Sequence, residues 1–284
     1  MQDKPNSNIN TSSSPAKKPP LTHFLSLPIG HHPALRDQWV QISSALLDSS
    51  PSIPGLHESI IVKPGGLHVT LGVLSLVSRE RQQKKTSRRH TIDEALRLLQ
   101  SLEAPIKHLL ANECPLIIPL EFMDVMRSRP NQKLEQSHVM WAGPDLASNA
   151  GKRLNSVCEL IHATFKNAGM LQDDRPLKLH CTLINTVYRK EKATGEQKRP
   201  PRKNNKRVPF SFSAILSSSA FAQIARPTTV GAGADAAQGS DALHGAHSID
   251  LGSWIVEEVQ LCEMGSKGAD GAYRSVGSLK LLHD

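Results

Sequence analysis

The sequence lacks any long hydrophobic run. None of its apolar stretches, in 284 residues, approaches the roughly 18 that a membrane-spanning helix needs. The opening segment MQDKPNSNINTSSSPAKKPP has no apolar core of the kind a secretory signal carries. Both absences predict a protein that stays inside the cell, with no membrane contact. Cysteine is scarce: Cys114, Cys158, Cys181 and Cys262 are scattered, with no C-x-x-C pair and no His/Cys cluster at zinc-site spacing. Reduced, buried thiols are expected, with no metal and no cofactor. No G-x-G-x-x-G and no P-loop follows a predicted strand, which argues against dinucleotide or nucleoside-triphosphate chemistry.

Charge is present but concentrated. The formal net charge is +8, and between Arg189 and Arg207 nine Lys or Arg stand against Glu191 and Glu196, a local +7. This run reads as a nuclear import signal, as a contact to phosphate backbone, or as a plain solvated loop. It points to a nuclear and/or cytoplasmic location. Residues 1–20, rich in Ser, Asn, Pro and Lys, bury too little apolar surface to offset ordering and read as a disordered tail. Residues 21–284 are expected to form one domain, monomeric, carrying a basic insertion at 189–208 and a Gly/Ala-rich insertion at 226–248.

Within that domain, THFLSLP opens as a strand, and Leu35, Trp39, Ile42, Leu46 and Leu47 are spaced as one face of a helix from Pro33 to Leu47. A second helix is predicted over Thr91–Ala111 behind a Thr-x-Asp-Glu capping pattern, then strands near Leu116–Met126 and His138–Ala142. A long helix follows with Leu154, Val157, Cys158, Ile161 and Phe165 on one face, then a strand through His180. A short helix near Ser213–Ile224 and strands near Val259–Met264 and Tyr273–Leu282 complete the chain. The order predicts an α+β fold of two pseudo-symmetric lobes, antiparallel strands and helices around a central cleft.

One pattern recurs, once per half: LHVTL at 67–71 and LHCTL at 179–183. A looser form, HATF at 162–165, falls inside the long helix, where His162 and Thr164 do not share a face, and serves as an internal control. In a strand, side chains i and i+2 share a face, so His68 and Thr70 point one way, and His180 and Thr182 point one way together with Lys178. Cys181 then faces the core. Two opposed imidazoles suit in-line phosphoryl transfer without metal: one takes the proton of the attacking hydroxyl and the other protonates the departing oxygen. The hydroxyls of Thr70 and Thr182 would donate to the non-bridging oxygens. Spacing alone equally suits two exposed strand histidines beside β-favouring threonines.

With THFLSLP, GLHVTLGVLSL, KLHCTLINTVYRK, QLCEM and YRSVGSLKL in this order, the chain resembles the two-histidine (2H) phosphoesterases, the RNA-ligase-like (LigT-like) group. It is most similar to the branch of the A-kinase anchor protein seven nuclear-localisation-signal domain and the C-terminal domain of the activating signal cointegrator complex subunit one. The resemblance implies a bilobal fold, His68, Thr70, His180 and Thr182 as catalytic residues, and RNA or nucleotide phosphodiesters, 2',5'-linked or 2',3'-cyclic, as ligands. It also implies a rival reading: a non-catalytic nucleotide- or RNA-binding subunit of a transcription-coactivator or repair complex, in a helicase-containing assembly. Trp141, where the family tends to carry an aromatic residue, suits either base stacking or packing, as does Tyr273; Lys178 suits phosphate contact or solvation.

Overall fold

The two strands that carry the repeated motif begin by alternating between buried and partly exposed residues, so that one face turns to the core and the other away from it. The computed structural model describes residues 19–78, 89–110, 115–129, 131–173, 175–190, 207–226 and 245–281. The N-terminal tail, most of the basic insertion and most of the Gly/Ala-rich insertion lie outside these residues. The strands are β1 (His23–Pro28), β2 (His68–Leu74), β3 (Ile117–Pro119), β4 (Phe122–Val125), β5 (Val139–Gly143), β6 (Cys181–Asn185), β7 (His247–Ser248), β8 (Ser253–Ile255), β9 (Glu258–Lys267) and β10 (Tyr273–Lys280). Eight of them form an antiparallel sheet in the order β10-β9-β1-β2-β6-β5-β4-β7, and β3 and β8 form a separate ribbon.

Leu25, Leu27, Val69, Leu71, Cys181 and Leu183 lie on the buried face. Two helices pack there. Helix α1 (Pro33–Leu47) buries Leu35, Trp39, Ile42 and Leu46, and the Trp39 indole donates to the Val62 carbonyl at 2.8 Å. Leu47, expected on the same stripe, is 41% exposed because it falls off the face that Leu35, Trp39, Ile42 and Leu46 share. A longer helix, Asn149–Asn167, buries Leu154, Val157, Cys158, Ile161 and Phe165, the face read from the sequence.

The helix predicted over Thr91–Ala111 is two helices, α2 (Ile92–Gln100) and α3 (Glu103–Leu110). The capping box is present: Thr91 Oγ1 accepts from the Glu94 amide and the Glu94 carboxylate accepts from the Thr91 amide. Pro105 has no N–H to give and its ring opposes the carbonyl four residues back, so the chain restarts with the proline in a first turn. Helix α4 runs Asn149–Asn167. The single helix expected near Ser213–Ile224 is likewise split into α5 (Phe212–Leu216) and α6 (Ser219–Ala222), each capped by a serine, Ser211 and Ser218.

Two strand–helix–strand units, β1-α1-β2 and β5-α4-β6, carry the two motif copies, and in each the motif strand pairs antiparallel with the strand that opened the unit. The motif strands β2 and β6 are neighbours at the centre of the sheet, yet they share one residue pair, Val69 opposite Cys181. Beyond it they part. The end of β6 pairs with the segment leading into β2 (Ile61 opposite Ile184, Val62 N–H to Leu183 O at 2.9 Å). The end of β2 pairs with the segment leading into β6 (Leu74 opposite Leu171, Gln172 N–H to Val73 O at 3.0 Å). Each half thus lends its connecting segment to the other's motif strand.

Candidate functional site

The pairing of Val69 with Cys181 decides where the motif side chains go. Both residues are fully buried on the helix side, so their neighbours in sequence project from the opposite face. His68 with Thr70, and His180 with Thr182, therefore project from the face opposite the helices, to either side of the Val69–Cys181 pair. His68 opens β2, whereas His180 immediately precedes β6 rather than lying within it as the sequence suggested. The reason is the parting of the two strands, which leaves residues 175–180 without ladder partners.

The two rings are held alike. His68 Nδ1 bonds the Gly66 carbonyl at 2.8 Å and His180 Nδ1 bonds the Lys178 carbonyl at 2.7 Å, each two residues upstream. A carbonyl can only accept, so each Nδ1 carries the proton and each Nε2 of the neutral ring keeps a lone pair. His68 Nε2 accepts from the Thr70 hydroxyl at 3.1 Å. Thr182 makes no side-chain hydrogen bond among the described residues.

Surroundings push both imidazoles toward neutrality. Burial, with the positive charges of Lys267 and His180 adding to it against the Gly66 bond, lowers the pKa of His68 to about 4. Burial also lowers that of His180, opposed by its carbonyl bond and assisted by Lys178 and Arg175. Cys181, between the motif residues, is buried and its thiol is pushed up to about 12 by desolvation, an inert packing residue. The control histidine, His162, has no part in the cleft: it is 7% exposed and its Nδ1 donates to the Leu71 carbonyl at 2.7 Å, tying α4 to β2.

Aromatic rings wall the His68 side. Phe24, from β1, stands 5.3 Å from the His68 ring and 4.8 Å from that of Tyr273, which is itself 5.2 Å from His68. The Tyr273 hydroxyl meets that of Tyr188 at 3.3 Å, and the Lys267 ammonium sits 4.3 Å over Tyr273 and 4.5 Å over Tyr188. On the His180 side Trp141, opposite Thr182 in the sheet, meets the imidazole edge-on at 6.4 Å. Its indole is 2% exposed, with the Lys178 ammonium 4.3 Å over the ring and Gly143 beneath it, where a Cβ would come within 3.1 Å of the ring. Trp141 is therefore packed and presents no open face to a base. Tyr273 and Lys178 stand beside the paired histidines.

A cavity of about 340 Å³ opens next to His68, walled by Ser26, Gln260, Tyr273, Glu257 and Asp270 and by Arg36 from α1. Among the described residues, no three His, Cys, Asp or Glu side chains gather as metal ligands would, and no helix is long and apolar enough to cross a membrane. Phe24, Tyr188 and Lys267 were not singled out from sequence. Tyr188 lies within the motif segment itself, whereas Phe24 and Lys267 reach the site only through the β9-β1-β2 order.

A mouse protein, activating signal cointegrator 1 complex subunit 1, is 22% identical over 176 residues, which are 62% of this chain and 45% of that protein, so the likeness covers less than half of the relative. Among solved structures, LigT of E. coli complexed with 3'-AMP is 16% identical with a TM-score of 0.41, covering 92% of this chain and 99% of that one. The TT0787 protein of Thermus thermophilus is also 16% identical, with a TM-score of 0.42, covering 92% and 97%. A family profile matches residues 21–281, nearly the whole chain from the first strand to the last. The chain belongs to the AKAP7 2'5' RNA ligase-like domain family, within the two-histidine phosphoesterases.

Proposed function

We propose that this protein is a metal-independent phosphoesterase acting on RNA-type 2'- or 3'-phosphodiester bonds, 2',5'-linked or 2',3'-cyclic, with His68 as general base and His180 as general acid. The observation that carries the reading is the shared setting of the two rings: Nδ1 on an upstream carbonyl, leaving Nε2 for the cleft. A base lowered to about 4 is unprotonated across the physiological range and ready to accept. His180 must hold a proton, and a phosphodiester anion bound beside it in a water-poor cleft favours the imidazolium.

The steps balance. His68 Nε2 takes a proton from water, the water oxygen bonds to phosphorus, the bond from phosphorus to the 2' or 3' oxygen breaks, and His180 Nε2 gives its proton to that oxygen. Solvent then restores both rings. Thr182 donates to a non-bridging oxygen, and Thr70 turns its hydroxyl from His68 Nε2 to the other as negative charge grows there. The cavity beside His68 suits the nucleoside next to the reacting phosphate, its volume lying in the range of small-molecule sites.

Turnover of 2',5'-oligoadenylate and 2',3'-cyclic nucleotides in EDTA tests the reading. Product formation that persists under chelation and falls by about 10² to 10⁴ in both His68→Ala and His180→Ala is expected. Loss in only one variant overturns the paired roles. Stabilisation by nucleotide with no product from any diester would mean that the cleft binds without reacting. By likeness to the mouse cointegrator subunit we extend the proposal to a place in a multiprotein complex, in the nucleus and/or cytoplasm, for which co-purification is the check.

A further inference from the structure

Lys178 and Lys267 are both exposed at the cleft, and each lies over aromatic rings rather than beside a carboxylate. Lys178 lies over Trp141 at 4.3 Å, and Lys267 is gripped between Tyr188 at 4.5 Å and Tyr273 at 4.3 Å. Neither forms an ion pair among the described residues. Asp124, within electrostatic reach of Lys178, is paired with Arg127 at 3.3 Å. An aromatic face orients an ammonium without neutralising it, since the ring quadrupole carries no net charge. The N–H groups not turned to the rings remain able to donate.

The arrangement repeats across the site. Tyr273, which supports Lys267, lies 5.2 Å from the His68 ring; Trp141, which supports Lys178, lies 6.4 Å from the His180 ring. A cation without an ion pair therefore stands near each imidazole, carried by the ring beside it. Two such cations flanking a central anion site match the backbone of a single strand, where charged phosphates recur at regular intervals, better than they match a lone mononucleotide.

We propose that Lys178 and Lys267 receive the phosphates on either side of the bond held between His68 and His180, so that the preferred ligand is a strand with consecutive phosphodiesters. This rests on the phosphoesterase reading for the central phosphate. The lysines themselves are binding residues, and their effect is read independently of turnover.

The test compares 2',5'-linked adenylate dimer, with one phosphate, against 5'-phosphorylated trimer, with three. In the wild-type protein kcat/KM is expected to be about tenfold or more higher for the trimer, as charge-assisted contacts are gained. Lys178→Met and Lys267→Met each reduce the trimer-to-dimer ratio, and together they abolish it. Equilibrium binding of labelled trimer in a His68→Asn background supplies the second readout. There the slope of log affinity against log salt falls by about 0.7 for each lysine removed. An unchanged ratio and an unchanged salt slope in both variants overturn the proposal while leaving the phosphoesterase reading standing. If the wild-type protein cleaves no diester, that reading falls, and the salt slope alone decides whether the lysines bind a strand.

Discussion

His68 and His180 hold their Nδ1 protons on carbonyls two residues upstream, at 2.8 and 2.7 Å, yet the rest of their surroundings diverges. His68 has its Nε2 bonded to Thr70 and is packed against Phe24 and Tyr273. His180 has no bond to Thr182 and meets one ring edge, that of Trp141. Equivalent backbone geometry fixes which nitrogen faces the cleft, while the unequal packing fixes how readily each takes a proton. In the proposed mechanism this difference sets the roles: the more desolvated, hydroxyl-bonded imidazole is the acceptor, and the other is the donor.

The largest test of that asymmetry is the pH profile of kcat/KM. His68 must be unprotonated in the free protein, so activity falls about tenfold per unit as pH drops below about 4. His180 must be protonated, so activity falls by the same factor per unit as pH rises through a pKa that burial holds under the ordinary histidine value of 6.5. The optimum lies between these limbs. Removing a neighbouring cation relieves repulsion on the imidazolium, so Lys267→Met moves the acid limb upward and Lys178→Met moves the alkaline limb upward. A flat profile through neutrality would break the assignment.

A smaller effect separates the threonines. Each of Thr70→Val and Thr182→Val removes one donor to the developing charge and is expected to lower kcat by about 10². Only Thr70→Val also removes a hydrogen bond to the neutral Nε2 of His68, so it alone shifts the acid limb upward, which rate measurements across pH would detect. The smallest expected change belongs to the third, helical copy of the pattern. His162→Ala deprives the Leu71 carbonyl of its partner and costs about 1–3 kcal/mol in stability by denaturant titration, with kcat/KM retained.

Much of this was legible in the chain. Helical spacing located α1 and the buried face of α4, and two-residue alternation put each histidine with its threonine and turned Cys181 inward. Periodicity was blind where a single residue overrode it, as Pro105 does between α2 and α3, and where strands are too short to show a pattern, as in β7 and β8. Packing of Trp141 depends on the bareness of Gly143 beneath its ring, a contact that strand propensity does not encode. Lys267 and Phe24 are far in sequence from either motif and come to the site only because β9 and β2 flank β1.

The reciprocal pairing at the centre of the sheet has a mechanical consequence. Because Val62 bonds Leu183 and Gln172 bonds Val73, the halves clasp each other like two hands with interlaced fingers, on both sides of the Val69–Cys181 contact. The imidazoles cannot swing apart as doors on a hinge without first breaking main-chain bonds at either end. The two imidazoles are consequently spaced before any ligand arrives, and a phosphodiester entering the groove as proposed would meet a gauge already set to width.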